Sequence, residues 1–108
     1  KNAELLQDAG LSIQQVTVTG GAAESETWMQ MLADVLGAEV RIPECKECAS
    51  RGAALLAMIG VGVENMDRIY ETPESRMIWR PHAQTHAFYS ERLEENKKLY
   101  AKLYSSEV

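Results

Sequence analysis

The chain has 108 residues, with 11 Lys and Arg against 16 Asp and Glu, 45% hydrophobic residues and 25% charged ones. A formal net charge of -5 provides no basic field to attract a phosphate backbone or an anionic bilayer, which argues against nucleic-acid and membrane partners. The longest nearly apolar run, AALLAMIGVGV at 53–63, is shorter than the ~20 residues needed to cross hydrocarbon.

The amino end carries no signal-peptide pattern, and two cysteines cannot build a disulfide framework, so the reading is a cytoplasmic protein. A single unit of this length buries only roughly 60 to 68% of the surface its unfolded chain exposes, so its core must be efficient or shared. Lys1 stands in place of an initiator Met, and the chain is expected to be a fragment of a longer protein.

Residues 2–9 place Ala3, Leu5, Leu6 and Ala9 on one side of a helix, with Gly10 suited to end it. The period then changes to that of a strand at 15–19, QVTVT, which runs into Gly20 and Gly21. Ser25 is a suitable N-cap for the next helix, with Glu26 in its first turn. Trp28, Leu32, Val35 and Leu36 recur at helical spacing before Gly37. Trp28 is expected in the core.

The alternating EVRI at 39–42 predicts a second strand, stopped by Pro43. Strand, helix and strand make a βαβ unit with parallel strands. A third helix over 47–59 carries Ala49, Gly52, Ala53 and Ala57, small enough for close approach to a sheet, before Gly60 and Gly62. Residues 65–80 read as a loop packed over the core. A charged amphipathic helix covers 83–104, with Tyr89, Leu93, Tyr100 and Leu103 roughly on one face. Two strands alone do not form a stable sheet, so further strands are expected from sequence outside the chain.

The glycine pair carries the most information. Between a strand and a helix start, it lets a ligand reach the backbone without meeting a Cβ, beside free N–H groups and a positive dipole end. The string Thr19-Gly20-Gly21-Ala22, Ser25 and Trp28, the run Leu32-Ala33-Asp34-Val35-Leu36-Gly37, Val40 and Pro43, and Gly52-Ala53-Ala54-Leu55 come in a specific order. Together they resemble the carboxyl-terminal domain of the FGGY carbohydrate kinases, in the manner of xylulokinases.

The resemblance implies an α/β fold: the C-terminal part of an RNase H-like ATPase domain of the actin, hexokinase and heat-shock-70 type, a βαβ unit with packing helices. Residues 1–108 would form part of the nucleotide-binding domain, and the N-terminal sugar-binding domain would lie outside the chain. The implied activity is transfer of the γ-phosphate of ATP, with Mg²⁺, to a hydroxyl of a small sugar or polyol such as xylulose. Gly20, Gly21, Ala22 and Ser25 would lie against the nucleotide. The implied catalytic base, an Asp, belongs to the other domain, so this chain alone is expected to be inactive. The implied partners are ATP, the sugar and the other domain, with a homodimer also open.

Glu24 departs from the family pattern, since a carboxylate 4 Å from a phosphate charge costs about 1 kcal/mol in water and more when desolvated. It is expected to point away from the phosphates, or the turn to meet adenine and ribose instead. Asp34 is expected to be a solvated or capping carboxylate, and Asp8 and Asp67 have no motif around them.

Other constellations are weaker. Cys45-x-x-Cys48 and His82-x-x-x-His86 raise a zinc module, but a finger separates its pairs by about 12 to 15 residues, and a whole hydrophobic helix intervenes here. The cysteines therefore read as reduced thiols, the histidines as solvent-facing or capping, and Arg51 as a surface residue. A dinucleotide fingerprint fails, because Ala22, Ala23 and Glu24 follow the glycine pair. A non-catalytic interaction or zinc-binding module remains the alternative to the kinase.

Overall fold

A computed structural model describes residues 2–71 and 73–104. In chain order it contains helix α1 (Asn2–Asp8), strand β1 (Gln15–Thr17), a short 3-10 turn (Gly21–Glu24), helix α2 (Glu26–Leu36) and strand β2 (Glu39–Pro43). Helix α3 (Cys48–Gly60), a second 3-10 turn (Met66–Tyr70), strand β3 (Ser75–Trp79) and helix α4 (Ala83–Tyr104) follow.

The predicted βαβ unit is present. β1 pairs with β2 in parallel, with Val16 opposite Val40, and the N–H of Val18 extends the ladder to the carbonyl of Arg41 at 2.9 Å. α2 connects them. Its N-cap is Ser25, whose hydroxyl accepts from the Trp28 N–H at 3.3 Å, and its end is Gly37 in the left-handed region at φ 62°.

The core forms where α2 crosses the sheet. Met29 and Ala33, one helical turn apart, are buried against Val40 and Ile42, which share one face of β2 because side chains alternate along a strand. Ala23 closes the cluster, and Val18, Leu32 and Trp79 flank it. Burying a side chain the size of Met29 stabilises the fold by about 1.5–3 kcal/mol.

Three expectations are corrected. Residues 75–79 are not loop but β3, antiparallel to β2, so the sheet has the order β1-β2-β3 and its third strand comes from this chain. The segment SRMIW lies between Pro73 and Pro81 and lacks a period-2 pattern; the free edge of β2 makes it a strand. The register shifts between Ile42 and Pro43, and the proline, which lacks an N–H, is the last residue of β2. Trp28 is not in the core: it is 60% exposed, as Met31 and Val35 are at 48% and 47%, because the sheet takes the Met29–Ala33 face of α2. Finally, α3 buries no residue and packs mainly on the 66–70 turn, not on the sheet.

α4 packs along α2, with Tyr89 and Leu93 half-buried while Tyr100 and Leu103 are exposed. Lys97 bridges to Glu4 of α1 at 2.6 Å and to Glu94 at 2.7 Å. These carboxylates hold the Lys97 ammonium well above its usual range, and Lys97 pulls Glu4 below the ordinary carboxylate value. The radius of gyration is 18.3 Å, against about 13 Å for a closed domain of this length, because α3 and the far half of α4 extend from the core. Among the described residues, no helix is long and apolar enough to cross a membrane.

Candidate functional site

The junction of β1 and α2 is open. Gly20 has φ 90° and ψ -172°, a region that in practice only glycine occupies, so the chain can leave the strand sharply. A Cβ built on Gly20 or on Gly21 would meet no atom within 4 Å. The 3-10 turn then closes through the Ala23 N–H to the Gly20 carbonyl at 3.0 Å and the Ser25 N–H to the Ala22 carbonyl at 3.2 Å. The N–H groups of Gly21 and Ala22 precede that ladder and have no partner within the turn.

Ser25 then caps α2, so the exposed residues Gly20, Gly21, Ala22 and Ser25 lie within one short segment at a helix start. The small open depression beside Gly20 has a volume of only 20 Å³, with Thr19, Glu24, Lys46 and Arg76 in its wall, which is room for about one water. The junction is therefore a shelf, and a ligand of any size must lie on it from outside. An apolar groove of about 490 Å³ continues from Ser25 along Trp28, Met31 and Val35.

Glu24 turns toward β3, where its Oε1 accepts from Arg76 Nη2 at 2.7 Å. Sequence reasoning missed Arg76 because it lies in the stretch read as loop; the paired Glu24 was the one available signal. Arg51 is exposed, beside Glu64 and Arg68 in a groove on α3, and is absent from the wall around Gly20.

Asp34 is not solvated. It is 5% exposed, and its Oδ1 accepts from the backbone N–H of His82 at 2.8 Å and from Gln30 Nε2 at 3.0 Å, with His82 Nδ1 at 3.2 Å. Burial raises its pKa, but the His82 N–H, the Gln30 amide and the His82 ring outweigh burial and hold the carboxyl below its ordinary value. It thus ties the entry of α4 to α2, a capping role. His86 Nδ1 lies 2.8 Å from the Asp34 carbonyl.

Both histidines are thereby gathered at Asp34, while Cys48 donates to the Cys45 carbonyl at 2.8 Å. Burial and the neighbouring Cys45 thiol push Cys48 up, which disfavours a reactive thiolate. Among the described residues, no three His, Cys, Asp or Glu side chains form a group able to hold a metal.

Against known proteins, the model of the FGGY family of carbohydrate kinases, C-terminal domain, matches residues 2–61. The chain belongs to this family. It is 35% identical over 95 residues to the L-xylulose/3-keto-L-gulonate kinase of Escherichia coli strain K12, covering 84% of this chain and 19% of that protein. It is also 42% identical over 78 residues to a glycerol kinase of Saccharolobus islandicus strain M.14.25, covering 71% of this chain and 15% of that one.

Among solved structures, a xyloylose kinase from Brucella ovis superposes with a TM-score of 0.83 at 27% identity, over 98% of this chain and 22% of that one. The FGGY fold is that of the actin and hexokinase type of ATPase, and the α/β expectation stands. The chain spans about a fifth of the length of these relatives.

Proposed function

We propose that the protein carrying this chain is a carbohydrate kinase that transfers the γ-phosphate of ATP to a hydroxyl of a small sugar or polyol such as xylulose. In it, the shelf of Gly20, Gly21, Ala22 and Ser25 receives the nucleotide. The single observation carrying this reading is the bare glycine pair at the start of α2, open to solvent in a member of the FGGY kinases.

The residues present fit a nucleotide. The missing Cβ atoms let it approach the main chain, the Gly21 and Ala22 N–H groups serve as donors, and the dipole of α2 favours the negative end of the ligand. The Ser25 hydroxyl both caps α2 and stands at the edge of the apolar groove, where it can meet a base or ribose. ATP supplies the phosphoryl group when bound.

The chain's own task is positioning, the main requirement of phosphoryl transfer. A general base for the sugar hydroxyl is assigned to sequence outside this chain, because Asp34 is buried and committed to His82. Mg²⁺ would be carried by the nucleotide phosphates, where it would neutralise charge during transfer. The uncovered Trp28, Met31 and Val35 face suits packing against the remainder of a longer cytoplasmic kinase.

The test is nucleotide titration of the full-length protein carrying Gly21→Asp. ATP affinity should fall at least tenfold, since the substitution places both a side chain and a negative charge on the shelf. Unchanged affinity in a folded variant refutes the assignment.

A further inference from the structure

We propose that Arg76 is a positioning residue of the nucleotide shelf, acting through Glu24: it neutralises the one carboxylate on the glycine turn and turns it away from the bound polyphosphate. The inference rests on the nucleotide reading above.

Glu24 is the last residue of the 3-10 turn that Gly21 begins, so its charge is fixed within a few residues of the N–H groups offered to the ligand. With the carboxylate free to turn, it opposes binding of an anion. Arg76 Nη2 holds Glu24 Oε1 at 2.7 Å, and both side chains line the small cavity beside Gly20, together with Lys46. Arg76 is placed there by β3, whose register sets Ser75 opposite Pro43 and Met77 opposite Ile42. The guanidinium is 29% exposed and the carboxylate 61%, so the pair adds little to stability as an ion pair. Its effect lies in the field over the shelf. With the pair closed, Lys46 gives that wall a net positive charge; with Arg76 removed, Glu24 cancels it.

Charge compensation and simple structural bracing predict different signs. If the pair only braces the turn, removing either partner loosens the shelf in the same way. If Arg76 compensates Glu24, the two removals act in opposite directions on an anionic ligand and leave a neutral one unaffected.

The experiment is calorimetric titration of the full-length protein and its Arg76→Ala, Glu24→Gln and double variants with ATP and with adenosine. Arg76→Ala should weaken ATP about fivefold, the factor given by one charge about 4 Å away in water. Glu24→Gln should bind ATP as well as the parent or more tightly, and the double variant should return to near the parent value. Adenosine affinity should stay constant throughout. Equal weakening by both single substitutions, or adenosine weakened as much as ATP, overturns the proposal. ATP affinity equal in all these variants while Gly21→Asp abolishes it also overturns the proposal but spares the shelf; ATP affinity indifferent to Gly21→Asp as well overturns the shelf itself.

Discussion

The imidazole of His86 lies directly over Gly37: a Cβ built on that glycine would come within 2.6 Å of His86 Cε1 and 2.7 Å of Nε2. The same ring holds the Asp34 carbonyl, so α4 seats its first turns on the end of α2 at a point where only a bare Cα leaves room. Gly37 is also at φ 62°, so the position requires glycine twice, once for backbone conformation and once for contact.

Gly37→Ala should therefore destabilise the domain by roughly 1–3 kcal/mol, the left-handed conformation alone costing about 1 to 2. Thermal unfolding of the full-length protein checks it. Pairing Gly37→Ala with His86→Ala should recover less than the whole loss, because the backbone penalty at φ 62° persists after the ring is removed.

Asp34 links the same two helices through the His82 N–H. Asp34→Ala leaves that donor without its partner at a part-buried site and should cost roughly 1–3 kcal/mol. The pH dependence has a definite sign. A carboxyl held below its ordinary value of 3.8 in the fold contributes stability that is present above that value and is lost as the pH falls through the lowered folded one. Denaturant midpoints between neutral pH and pH 3 should decline less steeply in Asp34→Asn than in the parent. An identical acid limb in both proteins would show that Asp34 does not titrate with unfolding.

Ser25 has two roles that substitution can separate. Ser25→Ala removes the acceptor for the Trp28 N–H and should lower stability by about 1 kcal/mol while weakening ATP. Ser25→Asp keeps a good cap and should preserve the melting temperature, yet it places a negative charge on the shelf and should weaken ATP severalfold. A Ser25→Asp protein that melts like the parent and binds ATP equally well would leave Ser25 with the cap alone.

Much of this protein is legible in chemistry that acts locally along the chain. The β-branched run ending at Gly20, the Ser25 cap, the Gly37 stop and the alternation of EVRI each act over a few residues, so the βαβ unit and its open turn followed from sequence. The order of those same residues carried the family resemblance, which the match over 2–61 bears out.

What the sequence left open was decided by partners distant along the chain. α2 is apolar on more than one side, and only the position of β2 selects Met29 and Ala33 over Trp28 as the buried face. SRMIW has no strand signal of its own and becomes β3 because β2 presents an unpaired edge. The pairing of Glu24 with Arg76 and the burial of Asp34 under His82 join residues 52 and 48 positions apart. Hydrophobic period and capping are properties of neighbours in the chain, whereas register, the choice of face and the charge balance of the shelf arise only when separate elements meet.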